Sequence, residues 1–376
     1  MVLTVTAGLI LSVYLFLILR YTYGFNHLPE VKPVDAPGSS LSLSVIIPFR
    51  DEADRIGLLI GDLLNQELPV RDWEIICVDD HSADGTAGRI REYATGDVPL
   101  EVIRLPDGIR GKKAALMAGI SAARGEWIIQ TDADCRVGPG FIAGHASMIL
   151  GEQPDLVAGP VRLRPLHTCW DAVEALEFLS LSVTGAGSFY RKVPLMCNGA
   201  NLVYRRDFYL GEIGEMNQPT PSGDDMFLLS KALEKEKKVV FNKSSRVIVD
   251  AAPAGSPASF LSQRIRWASK TKYYSQLHPT FVAAWTWLTS VAGLALFIGG
   301  LFGTRWLIAF AVYFFLKSVA DFTALKAGAD FFGQRRVLRW FLPVSLTYYI
   351  YVPVTGILSL FSNYHWKGRS YRQING

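Results

Sequence analysis

Apolar residues bunch at the two ends of the chain and alternate with helical stretches in its middle. Residues 1–19 (MVLTVTAGLILSVYLFLIL) carry no charged side chain, and about 20 residues of helix cross a hydrocarbon core roughly 30 Å thick. A transmembrane anchor over 1–20 is therefore expected. No basic region precedes it and no small-residue cleavage site follows it, whereas Arg20 and Lys32 do, so a retained anchor is expected rather than a removed signal peptide. Further apolar stretches lie at about 280–303, 305–320 and 340–361. The first two, parted by Gly303-Thr304-Arg305, read as a tight hairpin. The third holds Pro343 and Pro353 and precedes Lys367, Arg369 and Arg372. A single crossing would put that basic tail outside, so a broken, re-entrant segment is expected over a third span.

Between about 41 and 250 the pattern changes. LSVIIPF (43–49), EIICVDD (74–80), LEVIRL (100–105) and EWIIQTDAD (126–134) are short apolar runs separated by helical stretches. Runs apolar on both faces that alternate with helices predict an α/β domain with a parallel sheet covered on two sides. The predicted layout is an anchor (1–20), a linker with Pro29, Pro33 and Pro37 (21–42), the α/β domain (43–250), an interfacial segment (251–279), a carboxyl-terminal membrane region (280–362) and a basic tail (363–376).

Composition narrows the function. Of 376 residues, 38 are Lys or Arg and 34 are Asp or Glu, a net charge of +4 that is too mild for a nucleic-acid binder. Cys77, Cys135, Cys169 and Cys197 form no CxxC or Cys/His pattern and read as buried free thiols in a reducing compartment. The positive-inside rule agrees, leaving the amino terminus outside and everything after Arg20 in the cytoplasm.

Ligands of open α/β sheets bind at the carboxyl ends of the strands, where this chain places Asp51 and Glu52, Asp79 and Asp80, and Asp132 and Asp134. In extended chain, Asp132 and Asp134 point to one side and suit a hard divalent cation shared with a diphosphate. Crowded carboxylates repel, and a bound cation compensates them. Gly111-Lys112-Lys113 opens a helical run and suits phosphate or a base, without the spacing of a P-loop. Ser222-Gly223-Asp224-Asp225 precedes a helix, and one of its two carboxylates can serve as a general base. Gln263, Arg266 and Trp267 fall at i, i+3 and i+4 of one helix, hence on one face, where arginine suits a pyrophosphate and tryptophan a sugar ring.

In this order the motifs SVIIPFRDE, VDDHSADGT, GKKAAL, TDAD, CNGAN, GDDMFL and QRIRW resemble those of the membrane-attached, inverting family 2 glycosyltransferases of GT-A fold. That group includes the cellulose, chitin and hyaluronan synthases and ceramide glucosyltransferase, and the likeness covers about residues 41–270. The resemblance implies a GT-A domain with a UDP-sugar donor, a lipid, lipid-linked or glycan acceptor in the membrane, and Mg²⁺ or Mn²⁺. By it, Asp80 or Asp79 contacts the nucleoside, Glu52 and Lys112 lie near the nucleotide, and Asp132 and Asp134 hold diphosphate and metal. Arg266 contacts the diphosphate. Asp225 is the catalytic base with Asp224 beside it, and Asn198, Gly199, Asn201, Gln263 and Trp267 line the acceptor side. Two positions depart from the family: Arg50 replaces a tyrosine, and Asp224 replaces a glutamate.

The expected activity is a hexosyl transfer with inversion, giving a β-linkage, by a multi-pass protein of the inner cell membrane with its catalytic domain in the cytoplasm. Its products would serve a cell-envelope glycan or glycolipid. A processive polysaccharide synthase is the alternative, although few apolar segments are available to line a channel. A non-catalytic sugar-nucleotide sensor is disfavoured by the intact Asp134 and Asp225. A transporter is disfavoured too, because Lys317 and Asp321 are the candidate intramembrane charges and no repeat of broken helices is visible.

Overall fold

A computed structural model describes residues 2–31, 41–67, 72–94, 96, 98–212, 223–269, 276–361, 364–366 and 369–371. The chain opens with helix α1 (Val2–His27), followed by β1 (Ser42–Phe49), α2 (Ile56–Leu64), β2 (Asp72–Asp79), α3 (Thr86–Arg91) and β3 (Leu100–Arg104). Then come α4 (Lys112–Ala122), β4 (Trp127–Gln130), β5 (Arg136–Val137), α5 (Phe141–Glu152), β6 (Leu156–Ala158) and β7 (Val161–Leu163). Helix α6 (Cys169–Phe189) leads to β8 (Leu202–Arg205), α7 (Arg206–Glu212), α8 (Asp224–Glu234), β9 (Val239–Phe241) and β10 (Val249–Ala251). The last elements are α9 (Pro257–Ala268), α10 (Leu277–Gly300), α11 (Thr304–Phe331), α12 (Phe341–Phe361), β11 (Tyr364–Trp366) and β12 (Arg369–Tyr371). They divide into two compact units, one of residues 28–165 and 196–252, the other of residues 1–27, 166–195 and 253–376.

The first unit is built on a seven-stranded sheet of order β3-β2-β1-β4-β8-β6-β9. Strands β3, β2, β1 and β4 are parallel, and Val45, Ile46, Ile47, Ile75, Ile76, Ile128 and Ile129 are fully buried, as apolar runs covered on both faces require. The sheet is mixed, not wholly parallel: β8 runs antiparallel to both β4 and β6. A smaller sheet of order β5-β10-β7 completes the unit. At its core, Asn201 donates from Nδ2 to the carbonyls of Pro160 (2.9 Å) and Val247 (2.7 Å), and its Oδ1 lies 3.0 Å from Nε2 of His145. These bonds tie the chain entering β7 and β8 to α5 and satisfy the Asn201 amide.

The second unit holds four helices long and apolar enough to cross a membrane: Val2–His27, Leu277–Gly300, Thr304–Phe331 and Arg335–Leu360. Helix α1 runs seven residues past the expected anchor because Tyr21, Thr22, Gly24 and Phe25 are buried. A Cβ on Gly24 would lie 2.2 Å from the carbonyl oxygen of Gly187, and one on Gly187 2.0 Å from that of Tyr21, so only glycines allow α1 and α6 to approach this closely. The expected break in the last apolar stretch is absent, since α12 is continuous through both prolines. Pro343 falls in the first helical turn, where no intrahelical donor is needed, and the carbonyl of Pro353 accepts a bond from Nε1 of Trp287 at 3.3 Å. Lys317 and Asp321 form an ion pair one turn apart on α11. Tyr14 donates to Asp321 at 2.8 Å, and the rings of Tyr14 and Tyr348 each lie 4.8 Å from the Lys317 ammonium. Both charges are thus paired within the helix bundle.

All four cysteines are free. Cys77 and Cys135 are buried as expected; Cys169 is exposed at the start of α6. Part of the linker (32–40), the glycine- and proline-rich loop ending at Ser222, and Lys367 and Arg372 of the basic tail lie outside the described residues.

Burial pushes the pKa of His145 down from 6.5 to about 4, against the opposing bond to Asn201. The unfolded chain therefore binds a proton that the folded chain refuses as pH falls from 6.5 towards 4, and stability drops across that window and no further below it. We expect this one group to cost about 3 kcal/mol between those limits. Denaturant titrations at pH 7 and pH 4.5 of the detergent-solubilised protein and its His145→Gln variant check it: the variant loses less stability on acidification than the wild type.

Candidate functional site

The loops that follow β1 and β2 are laced to each other by side chains. The backbone N–H of Asp51 donates to Oγ of Ser82 (3.0 Å) and that of Ala83 to Oδ1 of Asp51 (2.8 Å). Likewise the N–H groups of Glu52 and Ala53 donate to Thr86 Oγ1 (3.0 Å) and Asp84 (2.9 Å). Glu52 is buried in this lacing. Asp79 and Asp80 are buried at the end of β2. The Asp79 carboxylate is committed to the turn: it accepts the Ser82 N–H at 2.7 Å and lies 3.8 Å from the Arg104 guanidinium.

Two glycines aim the charged helix starts. Gly111, at φ 104°, precedes α4 and lets Lys112 open it. Gly223, at φ 108°, precedes α8 and places Asp224 and Asp225 in its first turn, where the helix dipole favours negative charge. Both glycines occupy backbone conformations that other residues rarely adopt.

Strand β4 then brings the charges together. It ends in Gln130, and the chain turns through Asp132-Ala133-Asp134, with Ala133 buried. Lys112 Nζ bonds to Asp132 Oδ1. Burial opposes the charge on Lys112, but Asp132, Asp225 and Asp224 outweigh it and raise its pKa. The opposite balance holds for Lys113, where burial lowers the pKa and Asp224 only partly offsets it. Asp132 thus contacts Lys112 directly, and the charges of Asp224 and Asp225 act on it.

Asp225 is held by backbone donors. Its Oδ2 accepts the Gly199 N–H at 3.0 Å and its Oδ1 the Met226 N–H at 2.9 Å. Gly199 is fixed in turn by Gln130, whose Nε2 donates to the Gly199 carbonyl (3.0 Å) while its Oε1 accepts from the Tyr204 hydroxyl (3.0 Å). Asn198 closes the same turn, accepting the Ala200 N–H on Oδ1 at 3.0 Å. Gln130 is an addition to the residues expected from sequence; its signal there is a lone polar residue closing the apolar strand WIIQ. Asn201, expected on the acceptor side, instead turns into the core and spends its amide on Pro160, Val247 and His145.

Asp132 and Asp134 keep 33% and 37% of their side chains exposed, and Asp134 lies 3.7 Å from Nη1 of Arg55. Among the described residues no group of three or more His, Cys, Asp or Glu side chains forms a metal cage. Two accessible carboxylates do fit a divalent cation that completes its shell with water and phosphate oxygens.

The Gln-x-x-Arg-Trp segment belongs to the other unit, on α9, capped by Ser256 and started by Pro257. Its inward face carries Phe260 and Arg264. Arg264, unassigned by the motif, is buried against Glu177 of α6, its Nε lying 2.8 and 2.7 Å from the two carboxylate oxygens. Tyr351 of α12 donates to the same carboxylate at 2.8 Å. The guanidinium lies 4.4 Å from the Phe260 ring and 4.2 Å from the Trp267 ring. Its Nη1 donates to Oε1 of Gln263. Arg266 and Trp267 are half-buried on the same helix.

Comparison with known proteins places this geometry. Residues 44–209 match the family described as glycosyl transferase family 2, and residues 127–323 match glycosyl transferase family group 2. A poly(ribitol-phosphate) beta-glucosyltransferase of Bacillus spizizenii is 29% identical over 32% of this chain and 19% of its own length. Dodecaprenyl-phosphate galacturonate synthase of Rhizobium johnstonii is 32% identical over 34% of this chain and 38% of its own. The chain thus spans well under half the length of these curated relatives. Among solved structures, mannosyltransferase PcManGT of Pyrobaculum calidifontis, in complex with GDP-Man and Mn²⁺, superposes with a TM-score of 0.59 at 18% identity, covering 96% of this chain and 99% of that one; the shared fold is of GT-A type. With the second family match spanning more than half of its residues, the chain belongs to the family 2 glycosyltransferases.

Proposed function

We propose that the protein transfers one sugar from a UDP-sugar to a membrane-associated lipid, lipid-linked or glycan acceptor, with inversion, so that an α-linked donor gives a β-linked product. The observation that carries this reading is the Lys112–Asp132 ion pair together with Asp225 held by two backbone donors, its charge acting on the same lysine. Each oxygen of Asp225 accepts one backbone N–H and retains a lone pair for an incoming hydroxyl. Asp225 takes the proton of that hydroxyl as it attacks the anomeric carbon, and the diphosphate departs in line.

Lys112 stabilises the diphosphate charge as the bond breaks. Asp80 binds the nucleoside, in preference to the turn-bound Asp79, and the buried Glu52 supports the loop beside it. Asp132 and Asp134 would hold Mg²⁺ or Mn²⁺, which supplies charge neutralisation for the leaving group. Arg266 serves the diphosphate, while Asn198, Gly199, Gln263 and Trp267 serve the acceptor. The GDP-Man and Mn²⁺ of PcManGT support a divalent cation in this fold, and the name of the dodecaprenyl-phosphate relative supports a lipid-phosphate acceptor. The four apolar helices support a multi-pass location; with the positive-inside rule, we assign the catalytic unit to the cytoplasmic face of the inner membrane.

Nucleotide release by detergent-purified protein across UDP-sugars and GDP-mannose, with Mn²⁺ and a membrane lipid extract, tests the reading. Release from one UDP-sugar is expected, falling about 10²- to 10⁴-fold in Asp225→Asn and losing its metal dependence in Asp134→Ala. Release from GDP-mannose alone would overturn the UDP assignment.

A Cβ on Gly199 would lie 2.9 Å from Gln130 Nε2 and 3.5 Å from Asp225 Oδ2. Gly199→Ala is therefore expected to misplace the base and lower kcat about 10- to 100-fold while the KM for the nucleotide sugar stays near wild type. Steady-state kinetics at varied donor concentration distinguish the two parameters.

A further inference from the structure

Helix α11 holds 28 residues, about 42 Å of helix at 1.5 Å per residue, against roughly 40–45 Å for a bilayer with its headgroups. When it spans, its two ends therefore fall in opposite headgroup layers. Arg305 opens the helix and Lys326 lies in its last two turns. The chain then reverses into α12 through a fixed turn: Gly333 takes φ 66°, the Gln334 N–H donates to the Ala329 carbonyl at 2.8 Å, and Phe332 and Val337 are buried. A turn anchored in this way decides which side chains face outward, and those are basic. Residues 326–340 hold Lys326, Arg335, Arg336 and Arg339 and one acid, Asp330. Asp330 pairs with Lys326 at 3.3 Å and with Arg335. Arg336 and Arg339 are exposed and form no ion pair among the described residues. The Arg339 guanidinium lies 5.8 Å from the ring of the half-buried Trp340, and tryptophan is at home at headgroup depth.

Helix α6 brings two more cations to this end of the same unit. It packs on α11 and on the turn, so closely that a Cβ on Gly328 would lie 2.6 Å from a methyl of Val183. The residue after α6, Tyr190, stands with its ring 5.9 Å from that of Tyr23 on α1, and Phe25 of α1 meets Phe331 of α11 edge to face at 5.7 Å. Arg191 and Lys192, exposed and without an ion pair among the described residues, thus share one end of the helix bundle with Arg336 and Arg339. We infer that this end binds anionic phospholipid through Arg191, Lys192, Arg336 and Arg339. Cations held at headgroup depth without carboxylate partners leave their charge to lipid phosphates, and the arginine forks match phosphate oxygens. A zwitterionic headgroup carries its own ammonium and cancels most of that attraction; an anionic one does not. At the far end, the connection 301–305 between α10 and α11 holds the single cation Arg305. The inference rests on the membrane-spanning reading of the four apolar helices and adds the class of lipid that the bundle selects.

The test offers the detergent-purified full chain equal amounts of phosphatidylglycerol and phosphatidylcholine with the same acyl chains. After gel filtration, the lipids retained by the protein are counted by mass spectrometry. The wild type is expected to retain phosphatidylglycerol over phosphatidylcholine by about tenfold, and by less as salt is raised. The double variants Arg336→Gln/Arg339→Gln and Arg191→Gln/Lys192→Gln are each expected to lose most of that preference, whereas Arg305→Gln keeps it. Because every replaced side chain is solvent-facing, the melting temperatures of all three stay near that of the wild type, which separates lost lipid selection from lost fold. Equal retention of the two lipids by the wild type would overturn the inference and leave these cations to an acidic protein partner. Undiminished preference in both double variants, or an equal loss in Arg305→Gln, would overturn it too. Release of the protein from membranes by alkaline carbonate would instead sink the membrane-spanning reading itself, and this inference with it.

Discussion

The ammonium of Lys112 stands among carboxylates that reach it from two separate stretches of chain: Asp132 after β4, and Asp224 and Asp225 at the head of α8. Neighbouring like charges raise each other's free energy unless a cation compensates them. Much of the first unit can be understood as the means of holding that arrangement. Gly111 and Gly223 take up left-handed conformations to start two helices at chosen points, β4 ends where the Asp132 turn must begin, and Gln130 braces Gly199, which braces Asp225. In the proposed reaction, a lysine that already compensates the carboxylates needs little reorganisation to meet a diphosphate.

The second unit meets the same problem with the signs reversed. A buried guanidinium at Arg264 needs an anion, and Glu177 supplies it, with Tyr351 satisfying a further lone pair and two aromatic faces covering the plane. A buried pair of this kind adds little net stability compared with apolar residues of equal volume. What it adds is geometry, because each partner fixes the direction of the next. A chain of fixed directions runs from α12 through α6 to α9 and ends on the amide of Gln263.

Local features were legible in the sequence, and features made by distant packing were not. Asp132-Ala133-Asp134, Lys112 and Asp224-Asp225 could be named because strand ends, a glycine before a helix and a cap are written in neighbouring residues. The side-chain commitments of Asp79 and Asn201 could not: whether a carboxylate serves a ligand or a turn, and whether an amide faces a substrate or the core, depends on Ser82 and Arg104 in one case and on Pro160, Val247 and His145 in the other. The reversal of β8 was hidden for a related reason, since strand direction is set by connection and not by the apolar run. The α/β class was readable from periodicity; the extension of α1 to His27 was not, because it depends on the meeting of Gly24 with Gly187 across 163 positions of chain.

Arg264 shows the limit most clearly. A motif written as Gln-x-x-Arg-Trp directs attention to the spelled positions, and helical spacing does put Gln263, Arg266 and Trp267 on one face. The position between them is the one that turns inward and meets a carboxylate 87 residues away. The motif residues are the visible part of such a helix, but a long side chain has several rotamers open to it until its surroundings make the choice. Something rigid must supply it, and here that something is the buried ion pair behind the motif, tied through Tyr351 to an apolar helix. The Gln263 amide is thus held by a contact made inside its own unit.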